Sequence, residues 1–340
     1  MQLRPLGATG LSVSAIAFGA GPVSGLFTAA DVEKQAAVIA RALQAGVNWF
    51  DTAATYGQGH SEAGLGVALA RLRSNSPVHV ATKVRVQLDH ETDLRPLVVE
   101  SVRQSLERLR LPRLTLVQIH NSITRNRNDQ PTSITPEDVL GPTGLLAGLE
   151  DLRVAGCIEH FGLTGIGDAD ALNTVLLSGR FATIQAPLHL LNPSALRPTP
   201  AGLCDPDYGG FLNTAFQLGM GIFAIRVFAA GALLGAEPSS HTLKTPFFPL
   251  PLYRRDLFRA RCLAAQLGSM ESLREMALRY VLSLPQVSSA IVGFGAAEQI
   301  DSAAKIASLP ALTAAELLSL EHQLDSVSRA MPPAEADQVE

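Results

Sequence analysis

Eight apolar runs rich in β-branched residues recur along the chain: SAIAF (14 to 18), VNWFD (47 to 51), VHVATK (78 to 83), LTLVQIH (114 to 120), IEHFGLT (158 to 164), FATIQAP (181 to 187), GIFAIRV (221 to 227) and SSAIV (288 to 292). Several are apolar on both faces, as strands of a parallel sheet covered by helices should be. Between them lie segments with helical spacing of apolar positions, among them 30 to 45, 61 to 73, 94 to 109 and 299 to 307. Strand alternating with helix predicts parallel β/α architecture. Eight such units with no early GxGxxG turn predict a closed (β/α)8 TIM barrel rather than an open doubly wound sheet. The opening MQLRPLGATGLSVS alternates about a Gly-containing turn, which predicts an N-terminal β-hairpin placed to plug the bottom of the barrel. Two connections are long, 121 to 136 after the fourth strand and 231 to 252 after the seventh, and long loops in a compact domain commonly carry function. Residues 1 to 330 therefore read as one barrel domain, and the acidic, Pro-containing 331 to 340 as a flexible tail.

Composition narrows the class. A chain of 340 residues with 47% apolar content buries a large core, and an α/β barrel of this length is one domain. The 27 basic and 31 acidic residues leave a net charge of -4 without a long run of one sign, which speaks against nucleic acid or a membrane surface as partner. No stretch reaches the roughly 18 apolar residues of a membrane span, and the first 22 residues lack the pattern of a signal peptide. Cys157, Cys204 and Cys262 are odd in number and widely spaced, fitting neither a disulfide framework nor a metal knuckle. A cytoplasmic protein with no metal site is expected, and nothing in the composition decides its oligomeric state.

Three polar residues stand at the C-terminal ends of successive runs: Asp51, Lys83 and His120. Their separations of 32 and 37 residues are each about one β/α unit, which in a barrel places all three on the rim where active sites of this fold lie. Tyr56, five residues past Asp51, can fold back over the same mouth. Taken singly, a strand-end Asp or Lys is often a cap or an ion pair, and a lone His a satisfied core residue. Together they make chemical sense. A phenol is a poor acid-base catalyst at neutral pH unless an ammonium beside it favours the phenolate. Lys83 is so placed, Asp51 can hold Lys83, and His120 can donate to a substrate oxygen on which negative charge develops. The set suits proton transfer at an oxygen, coupled to a hydride step that needs a cofactor. Elsewhere, Ser61 reads as a helix N-cap, and His79 and His160 as barrel-filling residues. One of Trp49 and Phe50 should face the barrel interior and the other the helices. Phe247, Phe248 and Pro249 read as a lid or a local core.

At these residues the sequence resembles the aldo-keto reductase superfamily, through VNWFDTAATYGQGHSEAGLGVAL (47 to 69), VATKV (80 to 84), LTLVQIHNS (114 to 122) and VSSAIVGFGAAEQI (287 to 300). LGATGLSVS and GAGPVSGLF near the start are similar to its bacterial aldose-dehydrogenase branch. The resemblance implies that Tyr56 is the general acid or base, that Lys83 and Asp51 support it, and that His120 orients the substrate carbonyl. It implies a nicotinamide cofactor, NAD or NADP, lying across the rim without a Rossmann domain, with Asn121 touching the substrate and Gln185 the carboxamide. A small carbonyl compound, alcohol or sugar is the implied substrate.

The nicotinamide side departs from the family pattern. Thr164 and Gly165 stand where a Ser-Asn pair is usual, Leu188 stands where a tyrosine stacks on the ring, and Arg226 replaces a serine, positioned to pair with the pyrophosphate or with a rim carboxylate. In the last loop, Gly293, Gly295 and Gln299 open a helix whose amides can receive a phosphate. No Arg or Lys stands between Gly293 and Gln299 to bind a 2'-phosphate, and Lys305 is too far along, which points to NAD or dual use. The main expectation is an NAD(P)-dependent oxidoreductase interconverting an aldehyde, ketone or sugar lactol with the alcohol or lactone. Two alternatives stand beside it: a cofactor-binding sensor or regulatory subunit, and an enzyme using Tyr56 and Lys83 for elimination or isomerisation with an eroded cofactor site.

Overall fold

The computed structural model describes residues 1–27, 31–72, 77–88, 93–199, 206–246 and 248–328. Eight parallel strands close a barrel: β3 (Ile16–Gly19), β4 (Trp49–Asp51), β5 (His79–Val84), β6 (Leu114–Ile119), β7 (Ile158–Thr164), β8 (Thr183–Pro187), β9 (Gly221–Ile225) and β10 (Ser289–Gly293), which returns to pair with β3. Each predicted apolar run supplies one strand. The runs are longer than the strands because the barrel's ladder begins only where neighbours come into register, so Val47 and Asn48 are apolar or polar lead-in rather than strand.

Helices α1 (Val32–Gln44), α2 (His60–Arg71), α3 (Arg95–Leu109), α4 (Pro136–Leu140), α5 (Leu145–Val154), α6 (Ala169–Leu176), α7 (Phe211–Gln217), α8 (Leu250–Leu267), α9 (Met270–Leu282), α10 (Ala297–Ala307) and α11 (Ala314–Ser328) pack outside. Two of them, α8 and α9, lie between β9 and β10. Ser61 is not an N-cap: α2 starts at His60 with Gly59 as its cap, two residues before Ser61, and the Ser61 hydroxyl donates to the Ala20 carbonyl at 2.7 Å. The turn from Tyr56 to Gly59 runs through the left-handed region at Gly57 (φ 56°), Gln58 (φ 55°) and Gly59 (φ 91°), and the helix starts directly after it.

Side-chain alternation sorts the barrel interior into layers. Trp49 faces inward with Ala17, Ala81, Leu116 and Phe223, its ring 4.7 Å from that of Phe223 and 5.7 Å from that of His79. Phe50 points the other way, into the core under the helices, with its ring 5.5 Å from Phe18. Below this layer sits the hairpin of β1 (Leu3–Pro5) and β2 (Ser12–Ser14), whose Leu6 and Val13 are buried in the same interior cluster. The hairpin thus closes the barrel's N-terminal end, as the opening pattern predicts.

The connection after β6 is folded rather than loose. Ile123 bridges both Ile134 and Gly167, Arg127 forms an ion pair with Asp138, and Thr135 closes a capping box on α4. After β9, a short 3-10 turn covers Ala229–Leu234 and α8 begins at Leu250. Phe248 there packs edge-on to Tyr253 at 6.4 Å, so it belongs to a local core. Phe247, Cys204 and the 331 to 340 tail lie outside the described residues.

Candidate active site

The interior layers rise by two residues per step along each strand. Above Trp49, Ala81 and Leu116 come Asp51, Lys83 and Gln118, with Lys83 in register with Gln118. Asp51 and Lys83 are buried, the lysine only 1% exposed. A buried ammonium must have every proton engaged, and Lys83 does: it forms an ion pair with Asp51, donates to the Thr52 carbonyl at 2.9 Å, and donates to Tyr56 Oη at 3.3 Å. Burial alone would pull this ammonium down, but the Asp51 carboxylate and the Tyr56 oxygen outweigh it and hold Lys83 above the ordinary lysine value. The other Asp51 oxygen accepts from Gln185 Nε2 at 2.5 Å and Gln118 Nε2 at 3.4 Å.

Tyr56 reaches the mouth from the turn after β4 and lies edge-on to His120, ring centroids 5.7 Å apart at 84°. His120 follows β6 directly, and its Nδ1 lies 3.4 Å from Thr55 Oγ1. Desolvation, then the charges of Arg85 and Lys83, hold the imidazole well below its usual value, so it is neutral in the neutral range. The structure therefore brings Asp51, Tyr56, Lys83 and His120 together at the rim.

The expected cofactor contacts fare differently. Thr164 ends β7 opposite Gln185, and its hydroxyl is buried with no hydrogen-bond partner. Gln185 directs its amide N–H at Asp51, so it supports the carboxylate directly. Leu188 is fully buried in the main core, its N–H on the Ile225 carbonyl at 3.0 Å, and presents no face at the mouth. Its neighbour His189 is also buried, and burial, with Arg226 and Arg255 nearby, pushes the ring down to about 3. Arg226, in the left-handed region at φ 58°, donates to Tyr208 Oη at 3.1 Å and stacks over Phe248 at 5.3 Å.

At the last loop, Gln299 Oε1 accepts from the amides of Gly295 (2.7 Å) and Ala296 (3.3 Å), so these two N–H groups are engaged by the helix's own side chain. Gly295 is pressed against Ser24, where a Cβ would come within 2.8 Å of the Ser24 carbonyl, while Gly293 is exposed beside the same serine. Asn121 stands apart from the four rim residues. Its amide is wholly taken up by backbone, accepting from Val86 N–H at 3.0 Å and donating to the Val86 and Thr132 carbonyls at 2.8 and 2.6 Å.

Sequence reasoning passed over Gln118 and Arg85. Both were findable by counting in twos, Gln118 from His120 and Arg85 from Lys83. Arg85 is half-buried and donates from Nη2 to the His120 carbonyl at 3.4 Å. Among the described residues no group of His, Cys, Asp and Glu could hold a metal ion, and no helix is long and apolar enough to cross a membrane.

Comparison with known proteins fits this arrangement. The chain is 26% identical over 335 residues to L-galactose dehydrogenase of Arabidopsis thaliana, covering 98% of this chain and 95% of that protein. It is 25% identical over 264 residues to D-threo-aldose 1-dehydrogenase of a Pseudomonas species, covering 68% and 70%. The glycerol dehydrogenase of Gluconobacter oxydans shares the fold, with a TM-score of 0.70 at 24% identity over 97% of this chain and 98% of that one. The model of the aldo/keto reductase family matches residues 15–324, from the first barrel strand into the last helix. On that match the chain belongs to the aldo/keto reductase family and is an NAD(P)-dependent oxidoreductase.

Proposed function

We propose that the protein interconverts an aldehyde, ketone or sugar lactol with the corresponding alcohol or lactone, with the proton passing through Tyr56 Oη. The observation that carries this reading is the single, buried ammonium of Lys83 bonded at once to Asp51 and to Tyr56 Oη at the barrel mouth. A tyrosine beside that ammonium can give up its proton to a substrate oxygen and leave a phenolate facing a positive charge. The nicotinamide, when bound, supplies or accepts the hydride. His120 holds the same substrate oxygen: its Nδ1 lies 3.4 Å from the Thr55 hydroxyl, and the tautomer in which that hydroxyl donates keeps the ring proton on Nε2 for the substrate. A neutral imidazole donates this hydrogen bond without competing for the tyrosine's task. In oxidation the same groups run in reverse, Tyr56 accepting the alcohol proton.

The residues present fit a nicotinamide on one side of the mouth. Thr164 offers a buried hydroxyl with no protein partner, which a carboxamide would complete. Arg226 adds a cation for the pyrophosphate, supported by its hold on Tyr208 and Phe248 at the rim. With no Arg or Lys from Gly293 to Gln299, NAD or dual use is favoured over NADP alone. The names of the two dehydrogenase relatives support a sugar lactol as substrate and oxidation as the direction.

Titration with NADH and NADPH followed by turnover of aldehydes and sugars tests the reading. Tyr56→Phe should lower kcat by about 10³-fold or more, within the range of general acid-base catalysis, and leave dinucleotide affinity in place. Arg226→Ala should weaken that affinity. A Tyr56→Phe enzyme that turns over like the parent would defeat the mechanism, and a large preference for NADPH the cofactor assignment.

A further inference from the structure

Arg85 occupies the next layer up from Lys83. Counting in twos along β5, Ala81 faces the barrel interior, Lys83 meets Tyr56, and Arg85 leaves the strand end on the same side. Two residues of strand carry it about 6.6 Å further toward the open rim. There its Nη2 donates to the carbonyl of His120, the residue that holds the substrate oxygen in the proposed reaction. Its charge is one of those that hold the His120 imidazole down. The backbone on either side is fixed. Val84 is paired with Ile119, and both polar atoms of the Val86 backbone are clasped by Asn121, which also ties the segment to Thr132. Deeper in the mouth Lys83 and Asp51 compensate each other's charge. The guanidinium therefore stands on a rigid mount, half-buried, just beyond the reacting oxygen.

We propose that Arg85 is a specificity-determining residue that selects carbonyl substrates bearing a carboxylate two or three carbons from the reacting carbon. The proposal rests on the reading of this site as a carbonyl–alcohol oxidoreductase. A substrate whose oxygen lies against Tyr56 and His120 extends its chain toward the rim, and two or three carbon–carbon bonds, together with the carbonyl oxygen at one end and the carboxylate oxygens at the other, carry it most of the step from Lys83 to Arg85. A planar fork matches a planar carboxylate through two parallel hydrogen bonds, and partial burial strengthens them relative to water. Asn121, expected to touch substrate, acts instead by holding Val86 and with it the setting of Arg85.

Matched pairs test this: succinic semialdehyde against butanal, and levulinate against methyl propyl ketone, each assayed with NADH and NADPH. The wild type should favour the acid of each pair by about tenfold or more in kcat/KM, an effect of roughly 1.4 kcal/mol. The KM of the acid should rise with salt between about 0.01 and 0.5 M while that of the neutral partner moves little. Arg85→Gln should collapse the ratio of acid to neutral, mainly through KM of the acid. Arg85→Lys should retain part of the preference, and Arg85→Glu should invert it. Equal use of acid and neutral partner by the wild type, or an Arg85→Gln enzyme whose ratio is unchanged, overturns the proposal without touching the reaction type. Failure of the reaction type shows differently, as no turnover of these four compounds or of any other aldehyde, ketone or sugar, and removes the proposal with it, whereas turnover of a sugar with none of the four overturns the proposal alone. The wild-type ratio and its salt dependence need no variant to fold.

Discussion

The Thr164 hydroxyl is buried at the end of β7 without a partner, a state that costs about 1–3 kcal/mol for an ordinary buried polar group. Thr164→Val removes that penalty and keeps the shape. It is expected to leave unfolding stability equal or slightly higher while weakening dinucleotide binding about tenfold, about the value of one buried hydrogen bond. A thermal melt and a fluorescence titration read the two effects. A lower melting temperature with unchanged affinity would make the hydroxyl structural. At this scale the sequence was legible where chemistry is tied to strand ends: Asp51, Lys83 and His120 follow from spacing. It was illegible where a side chain has two uses. Gln185 and Asn121 are amides with four hydrogen-bonding positions each, and only the fold decides whether those face a ligand, the Asp51 carboxylate or the Val86 backbone.

Among the elements, the N-terminal hairpin depends on one backbone position. Gly7 sits at φ 51°, and a Cβ there would lie 2.3 Å from the Gly221 amide nitrogen, with the Gly219 carbonyl at 2.4 Å. The neighbouring Ala8 N–H bonds that same carbonyl at 2.8 Å. No side-chain rotamer relieves a clash between backbones, so Gly7→Ala should destabilise by more than about 3 kcal/mol through strain and loss of the plug's seating. Chemical denaturation checks this. A near-parental midpoint would mean the hairpin is not seated on the start of β9. The hairpin was readable from alternation and a turn signal, but its seating was not, because the partner backbone lies more than 200 residues away. The pair α8 and α9 was obscured for a related reason. Arg255, Asp256 and Arg259 are buried in α8, so its core face does not read as apolar.

The whole molecule carries an acid sensitivity set by its buried imidazoles. His189 is only 3% exposed and its folded value lies near 3, below the ordinary 6.5. A depressed folded value means that the unfolded chain takes up the proton first. The stabilisation is therefore complete above about pH 6.5 and is lost as pH falls from there toward 3. The slope is about 1.4 kcal/mol per pH unit, or about 2 kcal/mol by pH 5 from His189. His120 acts in the same direction, its imidazole held well below the usual value by desolvation and by the charges of Arg85 and Lys83. Urea denaturation at pH 7.5 and pH 5 should show the loss, and His189→Leu should make the dependence shallower. Equal slopes for parent and variant would place the acid sensitivity elsewhere.

From the sequence alone came the eightfold alternation of strand and helix, the plug at the barrel's base and the four polar residues at its mouth. These depend on local periodicity and on a repeat length that any closed barrel converts into a shared rim. Tertiary structure decided the rest. It turned Gln185 onto Asp51, drew Asn121 into a backbone clasp, engaged Gln299 with the amides of the last loop, and set Arg85 above Lys83 beside His120. The physical reason is that hydrogen bonds and charges act through space between strands whose residues are tens to hundreds of positions apart. A linear pattern states which side a side chain faces, but not which partner reaches it first.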